Sequence, residues 1–197
     1  MNHFFDIGAN VGQTFDWLRT KPEGQRYEDH QFWMFEPSPR HLPVLMEHCA
    51  IERLTRKPGI TVCPFGLAGG TGAGFIFEKD DRLGDSFHEQ VETDHKTENI
   101  GVPRGIMAAC VALPDIIAAV TKPDDKLVLD IDAEGSEYEM LTALVMAPVM
   151  FRRVVEVFVE WHVIQVSPGF ITPGDFRGRC KDRGVKLTER GCLCRSV

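Results

Sequence analysis

Segments with the pattern of β-strands alternate with segments that have the pattern of helices along most of the chain, and this alternation constrains the fold more than any other feature. Such a rhythm is typical of a parallel sheet that is covered by helices on both faces. Strands are expected at 3–7, 32–35, 60–65, 127–131 and 154–161, with a short added hairpin strand at 73–78. Helices are expected at 13–21, from about 38 onward, at 136–146 and at 173–183. We therefore predict one α/β domain that spans all 197 residues.

Two stretches depart from this rhythm. Residues 80–104 are polar, carry charges of both signs and have no periodicity, and the stretch is too long for a connector in a compact domain. We expect it to be a mobile lid or insertion. Near the other end, short strands at 185–188 and 192–196 flank a turn at 189–191, which predicts a C-terminal antiparallel hairpin.

The composition of the chain argues against several kinds of partner. Lys and Arg total 22 while Asp and Glu total 29, so the net charge is −7 and a large phosphate-binding surface is not expected. No apolar run approaches the roughly 20 residues that a membrane-spanning helix needs. The first residues lack the features of a signal peptide, and the six scattered cysteines fit free thiols in a reducing compartment. We expect a cytoplasmic protein that binds neither a nucleic acid nor a membrane.

The strongest local signal is the turn between the first strand and its helix, Asp6-Ile7-Gly8-Ala9-Asn10-Val11-Gly12. Glycines here let the backbone come close to a ligand at the carboxyl end of the strand, where open α/β sheets bind nucleotides. Their spacing of four differs from that of the dinucleotide fingerprint. The carboxylate of Asp6 would repel a pyrophosphate, but it suits a sulfonium cation and an ammonium group. The pattern therefore favours S-adenosylmethionine over NAD as the cofactor.

A second acid follows the second strand. Glu36 lies 24 residues after Gly12, about where α/β nucleotide sites have a carboxylate that accepts hydrogen bonds from the ribose hydroxyls. Taken alone, Glu36 fits a solvated strand end equally well. Together with the preceding turn, it is predicted to bind the ribose of the cofactor.

Polar groups also mark the carboxyl ends of the strands predicted at 127–131 and 154–161. Asp130 and Asp132 share one face of the first of these strands, and Glu160 and His162 share one face of the second. Burial of carboxylates at the end of a central strand costs free energy unless they are paired or face a polar cleft. If the two strands are neighbours, Asp132 and His162 meet at that cleft.

Together these motifs resemble those of the FkbM family of methyltransferases. The motifs are Asp-Ile-Gly-Ala-Asn-Val-Gly at 6–12, Phe-Glu-Pro-Ser-Pro at 35–39, Asp-Ile-Asp-Ala-Glu-Gly-Ser-Glu at 130–137 and Val-Glu-Trp-His at 159–162, in the family's order. The resemblance implies a Rossmann-like class I methyltransferase fold, with a mostly parallel seven-stranded sheet and helices on both faces. It also implies S-adenosylmethionine as the methyl donor and O-methylation of a small molecule, sugar or glycan. The family usually has Lys where this chain has Asp130, so the role of that lysine cannot be carried over.

The motifs give two sets of candidate site residues. The cofactor-binding set is Asp6, Gly8, Asn10, Gly12, Glu36 and Asp130. The catalytic set is His162, Asp132 and Glu160. His162 is the first choice for the base that removes the proton of the acceptor hydroxyl, because histidine titrates near neutral pH. Asp132 or Glu160 would orient the imidazole.

Alternatives remain open at this point. The two sets of site residues given above include no metal ligands. However, Asp132, Glu160 and His162 are acceptable ligands for a divalent ion that would acidify a sugar hydroxyl. The domain could also bind the cofactor without catalysing transfer, whereas an NAD-dependent oxidoreductase is disfavoured by the glycine spacing. In the family, helices often precede this core, whereas this chain begins at its first strand; we therefore expect part of the cover over the acceptor to come from a second subunit of a homo-oligomer or from residues 80–104.

Overall fold

The computed structural model describes residues 1–54, 59–77, 105–162 and 168–190. Within these ranges the strands are β1 (Asn2–Ile7), β2 (Gln31–Phe35), β3 (Ile60–Cys63), β4 (Gly66–Ala68), β5 (Gly72–Phe77), β6 (Gly105–Ala112), β7 (Lys126–Ile131), β8 (Val154–Glu160) and β9 (Lys186–Arg190). The helices are α1 (Gln13–Thr20), α2 (Pro22–Gln25), α3 (Leu42–Glu52), α4 (Leu113–Val120), α5 (Glu137–Met146), α6 (Pro148–Phe151) and α7 (Pro173–Arg183). The predicted alternation of strands and helices is confirmed.

The larger sheet has six strands in the order β3-β2-β1-β7-β8-β9. Every neighbouring pair in it is parallel. The strands β7 and β8 are neighbours, as the sequence analysis required for Asp132 to meet His162. Because all six strands run the same way, the turns that follow β1, β2, β7 and β8 lie along one edge of the sheet.

Helices cover both faces of this sheet. Phe5 of β1 belongs to a core that includes Leu141 of α5 and Phe176 of α7. Phe4, the preceding residue, points to the other face and belongs to a core that includes Phe15 of α1. Both phenylalanines of β1 are fully buried, so the strand is buried on both sides, as expected for a central strand of a parallel sheet. The prediction of a sheet between two helical layers is confirmed.

The hairpin strand belongs to a separate sheet, which the sequence analysis did not predict. β5 pairs antiparallel with β6, and β6 pairs parallel with β4, in the order β4-β6-β5. The cause is a tight turn after β3, where the backbone N–H of Phe65 donates to the oxygen of Cys63 at 2.9 Å. This turn ends β3 and leads the chain into the small sheet. The described residues therefore form sheets of six and three strands, where one sheet of seven was expected.

Helix α7 begins and ends where the sequence predicts. The hydroxyl of Thr172 accepts a hydrogen bond from the backbone N–H of Asp175 at 3.1 Å, which caps the first turn. Gly184 follows the helix with a φ of +68°, a left-handed conformation that glycine adopts easily at a helix end. These two signals define the boundaries of α7.

The last described strand is longer than predicted. The predicted turn at 189–191 overlaps β9, which continues to Arg190 and pairs parallel with β8. Side-chain contacts hold these residues in the strand: Glu189 accepts from Nε1 of Trp161 at 2.9 Å, and Arg190 donates to Asp130 at 2.8 Å. The partner strand predicted at 192–196 lies outside the described residues.

The predicted lid at 80–104 also lies outside the ranges that the structure describes. None of the helices within the described ranges combines the length and the apolar composition that a bilayer-spanning segment requires.

Candidate active site

The turn after β1 packs directly against the end of β7. Gly8 has a φ of +85°, and a Cβ atom at this position would lie 1.9 Å from the backbone oxygen of Asp132. This distance is far inside van der Waals contact, so only glycine fits here. The sequence predicts that Gly8 allows close approach to a ligand, but the nearest neighbour of Gly8 is the backbone of the adjacent turn. The two turns therefore form one continuous wall.

The same turn contains a buried amide oxygen that lacks a hydrogen-bond partner. Asn10 and Gly12 have φ values of +49° and +93°, both left-handed. The backbone N–H of Asn10 donates to Oε2 of Glu36 at 2.8 Å. The side-chain Oδ1 of Asn10, in contrast, has no hydrogen-bond partner within the described structure. Buried polar atoms are nearly always satisfied in folded proteins. The amide oxygen of Asn10 is therefore available to a ligand that donates a hydrogen bond.

Glu36 joins the turn after β1 to the turn after β2. Its carboxylate is 5% exposed and accepts backbone hydrogen bonds from Asn10 and Ser38, both at 2.8 Å. Nδ1 of His41 lies 3.7 Å from Oε1 of the same carboxylate. A carboxylate offers about four acceptor sites, so capacity for a ligand hydroxyl remains.

Two buried carboxylates lie side by side at the ends of the central strands. Asp6 and Asp130 are opposite each other in the register of β1 and β7, and they are 4% and 3% exposed. Arg190 reaches across the ring of Phe158, with its guanidinium carbon 5.3 Å from the ring centroid, and Nη2 donates to Oδ2 of Asp130 at 2.8 Å. Arg190 is not among the site residues predicted from the sequence, because a single arginine at a strand end has no local signal.

The pKa values of Asp6 and Asp130 are both raised. Burial and then the charge of Asp130 raise the pKa of Asp6 well above its ordinary value, while a hydrogen bond with Thr14 lowers it. Burial also raises the pKa of Asp130, and the charge and hydrogen bond of Arg190 oppose that rise. One cation therefore compensates two carboxylates, and Oδ2 of Asp6 and Oδ1 of Asp130 have no hydrogen-bond partner in the described ranges.

A cleft runs along this edge of the sheet. Its empty volume is about 540 Å³, a figure that includes space open to solvent. The predicted site residues that line the cleft are Gly8, Asn10, Glu36 and Asp132. The predicted residues Asp6, Gly12 and Asp130 are not part of this lining in the described structure. The cleft thus joins part of the predicted cofactor set to the predicted catalytic aspartate.

His162 and Asp132 meet at the end of β7 and β8, as predicted. Nε2 of His162 lies 3.6 Å from Oδ1 of Asp132 and 3.6 Å from Oε2 of Glu134. Nδ1 lies 2.9 Å from Oε1 of Glu137, a buried hydrogen bond. Among the described contacts of His162, Glu160 does not occur. Glu137 therefore orients the imidazole, a role that the sequence analysis gave to Asp132 or Glu160.

Glu137 also fixes the turn between β7 and α5. Its carboxylate is fully buried and accepts the backbone N–H groups of Ala133 at 3.0 Å and Gly135 at 2.9 Å. Glu134 and Gly135 have left-handed φ values of +49° and +109°. The turn directs the side chain of Glu134 toward His162. Both glutamates lie within the motif at 130–137, but the sequence predicts no site role for them, because left-handed backbone and full burial of an acid leave no periodic signal.

The charges around His162 are coupled to one another. Burial lowers the pKa of His162, but the hydrogen bond and charge of Glu137, with the charges of Glu134 and Asp132, outweigh this effect and raise it to about 9. Half of the Asp132 side chain is exposed, but desolvation by the surrounding protein still raises its pKa to about 7, and the charge of His162 partly opposes this. With these neighbours the imidazole is protonated at neutral pH, and an imidazolium ion cannot accept another proton. This arrangement does not favour His162 as the base.

Comparisons with known proteins agree with the motifs. A family model for the methyltransferase FkbM domain matches residues 6–178. No curated protein matches the chain closely enough to count as a relative. A crystal structure of methyltransferase FkbM from Methylobacillus flagellatus is similar at 18% sequence identity and a TM-score of 0.45, over 75% of this chain and 30% of that chain. The chain thus covers less than a third of that protein, and the structural likeness is too low to carry a functional argument.

Proposed function

The chain belongs to the FkbM methyltransferase family, and from this premise we propose that it transfers the methyl group of S-adenosylmethionine to a hydroxyl oxygen of a small molecule or glycan. The observation that carries the proposal is the cleft that runs from Asn10 and Glu36 to Asp132 along one edge of the sheet. A methyltransferase must hold donor and acceptor side by side in an aligned geometry. A single cleft that joins Asn10 and Glu36 of the predicted cofactor set to Asp132 of the predicted catalytic set meets this requirement.

Groups at one end of the cleft suit the methyl donor. Glu36 has remaining capacity to accept hydrogen bonds from ribose hydroxyls. The unpartnered Oδ1 of Asn10 suits a donor such as an ammonium group. Asp6 and Asp130 share one arginine, so this end of the sheet offers no excess positive charge to a pyrophosphate. These features support S-adenosylmethionine over a dinucleotide.

The acceptor would lie at the other end, beside Asp132. When bound, S-adenosylmethionine supplies an electrophilic methyl group on a sulfonium, so that the acceptor oxygen gains a bond to carbon as the bond from carbon to sulfur breaks. The hydroxyl proton must also be removed, and a positioned base contributes about 10²- to 10⁴-fold to the rate. We assign this proton to Asp132, because its side chain is 48% exposed and lines the cleft. His162 is then a positioning residue that holds Asp132 and is itself held by Glu137.

The other expectations about the protein's surroundings remain part of this proposal. A net charge of −7 supports an acceptor that is a metabolite or glycan and not a nucleic acid. The free, buried thiols of Cys49, Cys63, Cys110 and Cys180 support a reducing compartment such as the cytoplasm. Cover over the acceptor by a second copy of the chain is likewise proposed.

Calorimetry followed by a transfer assay tests the proposal. S-adenosylmethionine and its demethylated product should bind much more tightly than NAD under the same conditions, and labelled methyl should then appear on at least one hydroxyl compound in a panel of metabolites and glycans. Equal or tighter binding of NAD would refute the assignment of the donor. Tight donor binding without transfer to any hydroxyl would favour the non-catalytic alternative.

A further inference from the structure

We propose that Asp132, Glu134 and His162 bind one divalent metal ion, which coordinates the hydroxyl oxygen of the acceptor. Each residue offers one ligand atom, and the three atoms lie within 4.8 Å of one another. The sequence offers Asp132, Glu160 and His162 as an alternative set of metal ligands. In the structure, Glu134 takes the place of Glu160 in this set. The ion site stands on geometry alone, whereas its action on the acceptor rests on the proposed function.

The two distances from Nε2 of His162 are close to those between the ligands of a single ion. Bonds from a metal ion to imidazole nitrogen and carboxylate oxygen are about 2.0–2.2 Å, so two ligand atoms at roughly 90–110° around one ion are about 3.0–3.5 Å apart. Nε2 of His162 lies 3.6 Å from each of the two carboxylate oxygens. This separation is too long for a hydrogen bond. Loss of the Nε2 proton of His162 to solvent, together with small movements of the two carboxylates, would convert the group into three ligands of an ion.

The buried imidazole distinguishes this group from an ordinary cluster of surface acids. His162 is 7% exposed, and its Nε2 points between the oxygens of Asp132 and Glu134. Its other nitrogen is held by Glu137 at 2.9 Å. Metal-binding histidines almost always have this second contact, which fixes the orientation of the ring. The ring is therefore held in a binding orientation by residues that do not touch the ion.

The backbone fixes the second ligand in the same way. Glu137 accepts the N–H groups of Ala133 and Gly135, which flank Glu134 in sequence. One fully buried carboxylate therefore orients both the histidine and the turn that carries a ligand. A site whose ligands are already oriented loses less conformational entropy when the ion binds.

Charge and exposure both favour a cation at this position. Three carboxylates, those of Asp132, Glu134 and Glu137, surround one imidazole. A divalent ion would balance this negative charge. The side chains of Asp132 and Glu134 are 48% and 20% exposed and both line the cleft, so the remaining coordination positions face the space where the acceptor would bind.

The mixed ligands favour Mn²⁺ as the probe. Carboxylate oxygens suit Mg²⁺ and Mn²⁺, while imidazole suits the transition metals. In the reaction, the ion would act as a Lewis acid on the acceptor hydroxyl and stabilise the negative charge that develops on its oxygen. The proton would leave to Asp132, whose second carboxylate oxygen is not required by the ion, and the oxygen would then take the methyl group as described above.

Titration of Mn²⁺ into the chelator-treated full chain, with neither donor nor acceptor present, tests the site directly. The signal of free Mn²⁺ in electron paramagnetic resonance should show one bound ion per chain. Asp132→Asn and Glu134→Gln should each weaken binding at least about tenfold, and Glu137→Gln should weaken it about 10- to 100-fold through loss of ring orientation. Glu160→Gln is the matched control, because Glu160 is a nearby carboxylate outside the group, and should change binding by less than about threefold.

The outcomes are distinguishable. No saturable binding at millimolar Mn²⁺, or unchanged binding in Asp132→Asn, would overturn the proposal; Asp132 is half exposed, so that variant is expected to fold. An equal loss in Glu160→Gln would mean diffuse electrostatic attraction and would also overturn it. Donor calorimetry on the same sample separates this inference from the proposed function. Mn²⁺ binding without donor binding would refute the function alone, and full-rate transfer in chelator without Mn²⁺ binding would refute the ion site alone.

Discussion

At the scale of single residues, Gly8 and Gly70 form a matched pair, because one is confined and the other is not. A Cβ atom at Gly8 would overlap the backbone oxygen of Asp132, whereas nothing lies within 4 Å of a Cβ at Gly70. Gly8→Ala should therefore destabilise the fold by more than about 3 kcal/mol, since the overlap adds to the cost of a left-handed alanine, and it should abolish donor binding. Gly70→Ala should stay within about 0.5 kcal/mol of the parent. Urea unfolding and donor calorimetry measure both effects, and a Gly8→Ala protein of normal stability would contradict the described contact.

Glu36 is the second test at this scale. Glu36→Gln keeps the size of the side chain but removes the charge that accepts hydrogen bonds, so donor affinity should fall by about 1.5–3 kcal/mol. Glu47→Gln removes an exposed carboxylate from α3 and should leave donor affinity unchanged. Calorimetry gives the affinity, and thermal unfolding shows whether the turn itself has loosened. If Glu36→Gln and Glu47→Gln bind the donor equally, Glu36 does not touch it.

Kinetics separate the proposed base from its positioning residue. Asp132→Asn should reduce kcat by about 10²- to 10⁴-fold while sparing donor affinity, because the lost group acts on the acceptor's proton. His162→Ala should also reduce kcat and leave the donor's Kd unchanged. The double variant should be little worse than the poorer single variant, as expected for residues that act as a unit. Additive losses in kcat would show that the two residues act separately.

The sequence predicts the positions of those site residues that directly follow the ends of parallel strands. Asp132 and His162 could be predicted to meet because both follow neighbouring parallel strands, and this contact is present at 3.6 Å. Glu134 and Glu137 could not be assigned, since their positions depend on a turn with two left-handed residues. Arg190 could not be predicted either, because its partner lies 60 residues away.

At the scale of elements, β9 is anchored to the centre of the sheet by one ion pair. Removing Arg190 would leave Asp130 buried at 3% exposure without its cation. Arg190→Ala should therefore destabilise the fold by about 3 kcal/mol, and adding Asp130→Asn should recover part of the loss. Arg177→Ala, which removes a 58% exposed partner of Glu189, should cost only about 0–1 kcal/mol. Chemical denaturation compares the three proteins, and equal losses in the two arginine variants would deny the anchoring role.

The strands and helices of the main sheet could be predicted from local patterns in the sequence. The small sheet could not, because its strands pair across a long stretch of chain. The parallel sheet could be derived from alternating apolar strands and helices. In the small sheet, β5 and β6 pair across the residues between Phe77 and Gly105. Nothing in the local pattern specifies which strand a short, glycine-rich segment will join.

At the scale of the whole molecule, the buried thiols report on unfolding. Burial raises the pKa of Cys49 and Cys63 to about 11 and that of Cys180 to about 12. The thiolate is the reactive form, so a raised pKa leaves little of it at pH 8, and burial blocks access as well. An alkylating reagent should therefore modify these three cysteines only after the chain unfolds, as peptide mapping by mass spectrometry can show.

Adding the donor at about 100 times its Kd stabilises the folded state by about 2.7 kcal/mol. If alkylation requires global unfolding, it should then slow about 100-fold at all three cysteines together. Unequal slowing would mean that parts of the molecule open independently, and rapid labelling of Cys180 in the native protein would contradict its 1% exposure.

The ion pair between Asp130 and Arg190 has a consequence for how related sequences diverge. The resemblance to the family implies that Lys usually stands where this chain has Asp130, and a basic side chain there would already be the neighbour of Asp6. Arg190 would then face a like charge, so the two positions cannot both be basic without cost. Across an alignment of the family, an acid at position 130 should therefore coincide with Arg or Lys at position 190, and Lys at position 130 with a neutral residue there. Such paired substitutions would record the relocation of one charge from β7 to β9 during evolution.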